Sequence, residues 1–319
     1  MILALSLTSS LSQALTYHPR MDHATWISDA SVLQCRLTQP IPSFGQAVFA
    51  HSAGQPLRFY LQTVSNPLAE GLASLKSNPP SWNPQLPVID LGRVNVKRGD
   101  FPVQLDATLS TRLLAELFQG KSPSFVRRAW YIEQAYNPEA DDIAADTPSM
   151  NEISFSNRQL AQQADTNQAI EVALSSVNFR EAYSLYRQCL ARLMPVGFDQ
   201  LERSRVKFDS DKWELKPETT EWLDIVARYA IADPQLDQIY IDGHTDNTHT
   251  TTYNVELSRK RAEAVVGYLV SSGVSANQIT TRFHGERYPV EPNTSRAGKQ
   301  ANRRVTIRLE RVGSRISQR

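Results

Sequence analysis

The chain has 319 residues, of which 41% are hydrophobic and 21% are charged, and its formal net charge is +1. This length and composition are typical of a folded protein with two domains of ordinary size. The near-neutral charge argues against a general nucleic-acid binder, since such proteins present a strongly basic surface.

The first residues are apolar and uncharged over Ile2–Ala14 and end in the small-x-small pattern Ser12-Gln13-Ala14. This pattern is typical of a secretory signal peptide and its cleavage site, although the basic residues that normally come first are missing. We therefore predict a signal peptide over residues 1–14, truncated if translation starts upstream, and an exported protein. A buried N-terminal strand is the alternative. No other run approaches the roughly 20 apolar residues that a membrane-spanning helix needs.

Residues 15–196 have the pattern of a β-rich domain. Short runs of alternating apolar residues, separated by turn and proline clusters, favour a sheet or barrel. They predict strands at Leu57–Val64, Val88–Val96 and Phe101–Ala107. A short helix is predicted at Ser110–Phe118, and the acidic segment Asn137–Asn151 is predicted to be an exposed loop.

The end of this domain, Asn178–Leu193, is predicted to be a helix because its apolar residues recur at helical spacing. We expect the following side chains to face the core: Phe179, Tyr183, Tyr186, Cys189, Leu190 and Leu193. Cys35 and Cys189 are the two cysteines of the chain. An even number in an exported protein predicts one disulfide, with two buried free thiols as the alternative.

After a short linker at residues 197–204, the pattern changes to that of a compact mixed α/β domain over residues 205–311, followed by a basic tail at residues 312–319. We predict a first strand that closes at Phe208 and a helix that begins at Pro217. The last strands are predicted at Thr281–Gly285 and Arg303–Leu309.

The most informative segment of the chain lies around Asp246 and Arg261. Ile239 and Ile241 alternate with polar residues as in a half-buried strand, and Gly243–Thr252 has turn and loop chemistry. A helix is predicted to follow, with Arg261 near its start. Asp246 and Arg261 are then expected to converge, and a carboxylate and a guanidinium at a helix N-terminus can bind a zwitterion. The alternative is a turn-forming aspartate and a solvated arginine.

This segment, together with Arg282–Asn293 and Asn302–Leu309, resembles the OmpA-like peptidoglycan-binding domain over about the last third of the chain. The resemblance implies a β-α-β-α-β order with an extra strand. It also implies that Asp246 and Arg261 hold the diaminopimelate residue of the peptidoglycan stem peptide. Further residues assigned to this site are Thr245, Asn254, Leu257, Asn302 and Arg303.

Three N-terminal segments resemble the N-terminal domain of the MotY family of flagellar-motor proteins. They are Cys35–Phe49, Ser77–Gln85 and Ile170–Leu190. This resemblance implies a periplasmic protein on the outer-membrane side of the cell wall, whose partners are peptidoglycan, the flagellar basal body, and T-ring or stator proteins, and which assembles as a ring. The segment Asn137–Asn151 departs from the family as an insertion. The expected fold class is α+β, a β-rich N-terminal domain followed by an OmpA-like mixed α/β sandwich.

Catalysis is the competing class of function. His244, Asp246 and His249 form an HxDxxH pattern that can supply zinc ligands, but it lies in a threonine-rich loop without a fourth ligand. Neither a nucleophile elbow nor a phosphate-binding loop is present in the sequence. We therefore predict a non-enzymatic protein without metal or cofactor. The alternatives are a general OmpA-family wall anchor that serves envelope integrity and a metal-dependent wall hydrolase.

Overall fold

The computed structural model describes residues 15–129 and 169–313. The predicted signal peptide, the segment Asn137–Asn151 and the end of the basic tail lie outside the described residues. The chain divides into two compact units. The N-terminal unit comprises the chain up to His51 and Pro56–Ala191, and the C-terminal unit comprises Ser52–Gln55 and the chain from Arg192. Within the described ranges, no helix combines the length and the apolar character needed to cross a bilayer.

The N-terminal unit is built on a ten-stranded sheet. Its strands are β1 (Leu15–Tyr17), β2 (Ile27–Ala30), β3 (Gln34–Ile41), β4 (Gly45–Ser52), β5 (Arg58–Thr63), β6 (Gly71–Asn78), β7 (Ile89–Val96), β8 (Val103–Leu105), β9 (Ser122–Arg128) and β10 (Ala169–Ala173). Their order across the sheet is β1-β10-β9-β6-β7-β8-β5-β4-β3-β2. Strand β1 runs parallel to β10, whereas β9 runs antiparallel to both β10 and β6. The three strands predicted from alternating residues are present as β5, β7 and β8.

Aromatic side chains fill the core of this unit. Phe49 and Phe59 are fully buried on the neighbouring strands β4 and β5, with ring centroids 4.8 Å apart. Phe125 stacks on Phe59 at 5.7 Å, and Trp26 contacts both Phe49 and Phe179. Because each ring buries a large apolar area, this cluster supplies much of the hydrophobic stabilisation of the sheet.

Helix α1 (Ala107–Phe118) begins earlier than the Ser110 predicted from periodicity. The Asp106 side chain accepts a hydrogen bond from the Leu109 backbone N–H at 2.9 Å and so caps the helix. The helix buries Leu113 and Leu117 against the sheet.

Helix α2 (Phe179–Leu190) carries Cys189 near its end. A disulfide joins Cys189 to Cys35 on strand β3, with a Cα–Cα distance of 5.8 Å, as predicted. It closes a loop of 154 residues, for which chain entropy gives a stabilisation of about 5 kcal/mol. Phe179 and Tyr186 are buried as expected, and the half-buried Tyr183 stacks on Phe179.

The segment at residues 197–204, predicted as a linker, has regular structure. It contains the short helix α3 (Phe198–Leu201) and the start of strand β11 (Arg203–Lys207). Leu201 is fully buried and Phe198 is half-buried. These two side chains are three residues apart, so they share one helix face, and the segment is part of the C-terminal unit.

The C-terminal unit has a four-stranded sheet with helices against it. Its other strands are β12 (Leu236–Gly243), β13 (Ile279–Phe283) and β14 (Arg304–Arg311), in the order β11-β14-β12-β13. Strands β12 and β13 are parallel, and β14 is antiparallel to β11 and β12. Its helices are α4 (Pro217–Ala232), α5 (Thr251–Ser271), a 3₁₀ turn (Ala276–Gln278) and α6 (Arg296–Asn302).

Apolar residues of the sheet and of the two long helices form the core of the C-terminal unit. Ile239 and Ile241 of β12 are fully buried, and so are Val226 of α4 and Val265 and Leu269 of α5. The β-α-β-α-β order with an extra strand, and with it the predicted α+β class, is confirmed. This arrangement places the turn after β12 beside the face of α5 that carries Arg261.

Candidate functional site

Asp246 lies on the turn that follows strand β12. The strand ends at Gly243, where a Cβ atom would come within 2.1 Å of the Ser258 carbonyl oxygen, so only glycine lets helix α5 pack this closely. Asp246 Oδ1 accepts a hydrogen bond from the Thr248 backbone N–H at 3.1 Å, which closes an Asx turn. Only 4% of Asp246 is exposed. The turn therefore holds a carboxylate just inside the protein surface.

The Asp246 carboxylate pairs with Arg303. Its Oδ2 accepts a hydrogen bond from Arg303 Nη1 at 2.8 Å, and the side chains of Asp246 and Arg303 are 6% and 14% exposed. Burial by itself raises the pKa of Asp246, but the hydrogen bonds from Arg303 and Thr248 outweigh it and hold the pKa below its usual range. Asp246 is therefore an anion at neutral pH.

Arg261 lies in the middle of helix α5, and the prediction that it lies near the helix start is wrong. The helix begins at Thr251, because the Thr250 side chain accepts a hydrogen bond from the Tyr253 backbone N–H and caps it. Arg261 is thus about 15 Å along the helix from its first residue.

The Arg261 side chain is fully buried and bonded to backbone carbonyls. Its Nε donates to Lys212 O at 2.8 Å, Nη1 donates to His244 O at 3.1 Å, and Nη2 donates to Asp209 O at 2.9 Å. Burial lowers the pKa of Arg261 to about 10, and the negative charge of Asp246 acts in the opposite direction. Arg261 therefore remains a cation at neutral pH.

The loop of residues 208–212 accepts hydrogen bonds from both Arg261 and Arg303, and Arg303 also pairs with Asp246. We call Asp246, Arg261 and Arg303 together the ionic cluster. Arg303 Nε donates to Phe208 O at 3.3 Å, next to the Asp209 carbonyl that Arg261 uses. No hydrogen bond joins Asp246 to Arg261 in the described part of the chain. A guanidinium has five N–H donors. The contacts between described residues occupy three of them on Arg261 and two on Arg303.

Three more of the predicted site residues, Thr245, Asn254 and Leu257, are buried beside this cluster, with exposed fractions of 2%, 0% and 4%. Asn254 Nδ2 donates to His249 O at 3.0 Å. Thr245 Oγ1 and Asn254 Oδ1 have no hydrogen-bond partner among the described residues. Buried polar atoms of this kind destabilise a fold unless something satisfies them. The two oxygens are therefore possible acceptors for a ligand donor.

Asn302 supports the site from inside the fold. It is the last residue of helix α6, which the sequence did not predict. Its Oδ1 accepts hydrogen bonds from the Val290 and Glu291 backbone N–H groups, and its Nδ2 donates to Glu291 O and Asn293 Oδ1. These four bonds hold the loop that precedes α6, and Arg303 follows directly.

Sequence reasoning missed a polar network at the end of β12. Asp242 accepts hydrogen bonds from Arg282 at 2.6 and 2.9 Å, and its Oδ1 lies 2.9 Å from His284 Nε2. His284 stacks on His244, with ring centroids 5.0 Å apart. Burial, Arg304 and His284 together lower the pKa of His244 to about 4, so His244 is neutral at pH 7. Asp242 and Arg282 lie opposite each other where β12 pairs with β13, and opposite charges at such positions predict an ion pair. This signal can be used only when the pairing of the two strands is known.

The three residues of the HxDxxH pattern have separate partners. His244 stacks on another histidine, Asp246 pairs with an arginine, and the His249 ring packs on Tyr253 with centroids 4.6 Å apart. In the ranges that the structure covers, no three His, Cys, Asp or Glu side chains are grouped so that they can hold a metal ion.

Comparisons with known proteins match both units. The family model of the OmpA family matches residues 207–303, and that of the MotY N-terminal domain matches residues 17–138 and 152–195. The unmatched residues 139–151 lie within the segment expected to be an insertion.

Individual proteins are similar to the whole chain or to its C-terminal unit. The chain is 27% identical over 282 residues to the sodium-type flagellar protein MotY of Vibrio parahaemolyticus, which covers 88% of this chain and 85% of that protein. It is 34% identical over 108 residues to the peptidoglycan-associated lipoprotein of Haemophilus influenzae, which covers 34% of this chain and 70% of that protein. The crystal structure of the peptidoglycan-associated lipoprotein from Burkholderia pseudomallei is 33% identical, covers 33% of this chain and 89% of that chain, and has a TM-score of 0.32.

The match to the MotY N-terminal domain extends over more than half of the chain. The matched residues include both cysteines of the disulfide. The OmpA-family match comes after the MotY match along the chain, in the domain order predicted from the sequence. The chain therefore belongs to the MotY family.

Proposed function

We propose that this protein is a non-enzymatic component of the flagellar motor that anchors the T ring and the stators to peptidoglycan in the periplasm. In this proposal the N-terminal unit contacts the basal body and the C-terminal unit binds the cell wall. Membership of the MotY family and the similarity of the C-terminal unit to a peptidoglycan-associated lipoprotein support this division.

The observation that carries the proposal is the ionic cluster. Diaminopimelate presents a zwitterionic end, with an ammonium and a carboxylate on one carbon. Its ammonium would bind the remaining lone pairs of Asp246, with Thr245 Oγ1 and Asn254 Oδ1 as further acceptors. Its carboxylate would bind the remaining donors of Arg303 through charge-assisted hydrogen bonds, which are the strong ones. The fully buried Arg261 would add positive charge behind Asp246.

Stability alone is a weak reason for such a cluster. Removing charges from water is costly, and a buried ion pair is often replaceable by apolar residues without loss of stability. Beside the cluster lie two unsatisfied acceptor oxygens, Thr245 Oγ1 and Asn254 Oδ1, whose cost a bound ammonium would remove. Both features favour a binding role.

Binding to isolated peptidoglycan sacculi tests this proposal. The mature full-length protein should sediment with sacculi, and Asp246→Ala should abolish most of that binding, whereas Asp224→Ala, which removes an exposed carboxylate on α4, should not. In cells, the Asp246→Ala protein should still reach the flagellar base but restore swimming poorly. Equal sedimentation of the two variants with sacculi would reject the assigned site.

The phenotype of a deletion strain distinguishes a motor component from a general wall anchor that serves envelope integrity. Loss of swimming without envelope leakiness supports the motor component. Leakiness with normal swimming supports the general anchor.

A further inference from the structure

Two exposed aromatic rings lie next to the ionic cluster without a role in it. Trp213, in the loop before helix α4, is 37% exposed, and Tyr253, in the first turn of α5, is 42% exposed. Trp213 directly follows Lys212, whose carbonyl oxygen lies 2.8 Å from Arg261 Nε. The Trp213 ring is therefore within roughly 10 Å of the buried guanidinium, since one residue spans at most about 3.6 Å and a side chain adds a few more.

The contacts of these rings restrict their orientation. The Tyr253 hydroxyl donates a hydrogen bond to Asp211, and the Tyr253 ring packs on His249, with centroids 4.6 Å apart. The Lys260 ammonium lies 4.6 Å from the centroid of the Trp213 ring. Rings that are already oriented lose little conformational entropy when a ligand packs on them.

The surroundings of the rings are polar. Asp211, whose side chain is 52% exposed, belongs to the same loop as Trp213, and the His249 side chain is 39% exposed. A ligand that suits this surface has a flat apolar face for the rings and hydroxyl or amide groups for the carboxylate and the imidazole. A pyranose ring has this character, because its C–H groups form one apolar face and its hydroxyl groups form a polar rim.

We propose that Trp213 and Tyr253 form a saccharide subsite for the N-acetylated sugar that carries the stem peptide. The subsite rests on the function proposed above and extends it from the peptide to the glycan. The sugar is covalently attached to the stem peptide, and two residues plus the diaminopimelate side chain, together on the order of 15 Å, separate it from the zwitterionic end. A peptide held at the ionic cluster thus brings its sugar within reach of the two rings.

Calorimetric titration of the full-length protein with three probes tests the subsite. The probes are a stem tripeptide that ends in diaminopimelate, the same tripeptide attached to its disaccharide, and the disaccharide alone. Wild-type protein should bind the disaccharide-tripeptide about fivefold more tightly than the tripeptide. Trp213→Ala should remove this gain and leave tripeptide affinity unchanged, and Trp213→Phe should retain part of it. The control Tyr268→Ala removes an aromatic ring about 22 Å further along α5 and should change nothing.

Four results would overturn the subsite, and they differ in what else they reject. If wild-type protein binds the tripeptide and the disaccharide-tripeptide equally, the sugar makes no contact, and the peptide site stands. If Trp213→Ala weakens the binding of the tripeptide and of the disaccharide-tripeptide by the same factor, the ring serves the peptide site. If Trp213→Ala impairs swimming without changing either affinity, the ring serves a protein partner. If neither the tripeptide nor the disaccharide-tripeptide binds, the proposed peptidoglycan function fails as well.

Discussion

Asp246 accepts a 2.8 Å hydrogen bond from Arg303, while Arg261 donates to the carbonyl oxygens of three other residues. The two arginines therefore have different tasks. In the proposed function, Arg303, whose side chain is 14% exposed, contacts the ligand. Arg261 is fully buried, connects the loop around Asp209 to the end of β12, and adds positive charge behind Asp246.

Replacing Arg303 by alanine should weaken sacculus binding at least about thirtyfold, because truncating one partner of a desolvated charge pair typically costs 2–5 kcal/mol. The variant leaves Asp246 buried without its cation and removes donors for a ligand carboxylate. Sedimentation with sacculi over a range of protein concentrations measures the change. Arg308→Ala, which removes a half-buried arginine paired with Glu310 on strand β14, is the matched control and should bind normally.

Replacing Arg261 by lysine should lower the free energy of unfolding by about 3 kcal/mol, because an ammonium cannot reach three carbonyl oxygens that a planar guanidinium spans. Urea denaturation followed by tryptophan fluorescence measures this loss. Arg259→Lys changes a half-buried arginine on the same helix, keeps a cation between its surface partners Glu256 and Glu263, and should cost less than about 0.5 kcal/mol. Equal stability of the two variants would contradict the structural task assigned to Arg261.

His244 should make the protein less stable as the pH falls. The pKa of His244 is lowered from 6.5 to about 4 by burial and by Arg304 and His284, while Asp242 acts in the opposite direction. Between these values the unfolded chain binds a proton that the folded protein does not bind. The free energy of unfolding therefore falls as the pH drops from about 6.5 to about 4, with a slope of up to about 1.4 kcal/mol per pH unit.

The variant His244→Gln isolates this effect, because it removes the titrating group and keeps a polar side chain of similar size. Urea denaturation at several pH values between 7 and 4 should give a shallower pH dependence for His244→Gln than for the wild type. His249→Gln is the control at an exposed position and should follow the wild type. Parallel curves for all three proteins would show that His244 does not titrate as stated.

Reduction of the disulfide should destabilise the N-terminal unit by about 5 kcal/mol, the chain-entropy value for a loop of 154 residues. The double variant Cys35→Ser/Cys189→Ser should show the same loss without a reductant. Intact mass after alkylation, with and without reduction, verifies the oxidation state. A reductant should leave the melting temperature of the double variant unchanged, and a further drop would point to an effect other than the bridge.

The sequence predicted those parts of the site that depend on local pattern. Ile239 and Ile241 alternate along one strand, so the position of Asp246 on the turn after it followed directly. The start of α5 was placed too late, because Thr250–Thr252 has poor helix propensity, although Thr250 is a good N-cap. Helix α6 has seven residues and contains Gly298, so its periodicity is too short to recognise.

The pairing inside the site depends on tertiary structure. Asp246 and Arg303 are 57 residues apart in sequence, and they meet because β14 lies beside β12. The burial of Arg261 likewise depends on the loop around Asp209, which is 52 residues away. No local pattern in the sequence encodes contacts at these separations.

In the proposed anchoring function the protein bears load, and the disulfide then has a mechanical consequence. Cys189 lies just before Arg192, where the C-terminal unit begins. Tension that enters the N-terminal unit from that side passes through the sulfur–sulfur bond to Cys35 and bypasses the 154 residues between them. Without the bond, those residues can be drawn out to roughly 500 Å. With the bond in place, force passes from Cys189 to Cys35 over a few covalent bonds, so most of the ten-stranded sheet is shielded from stretching.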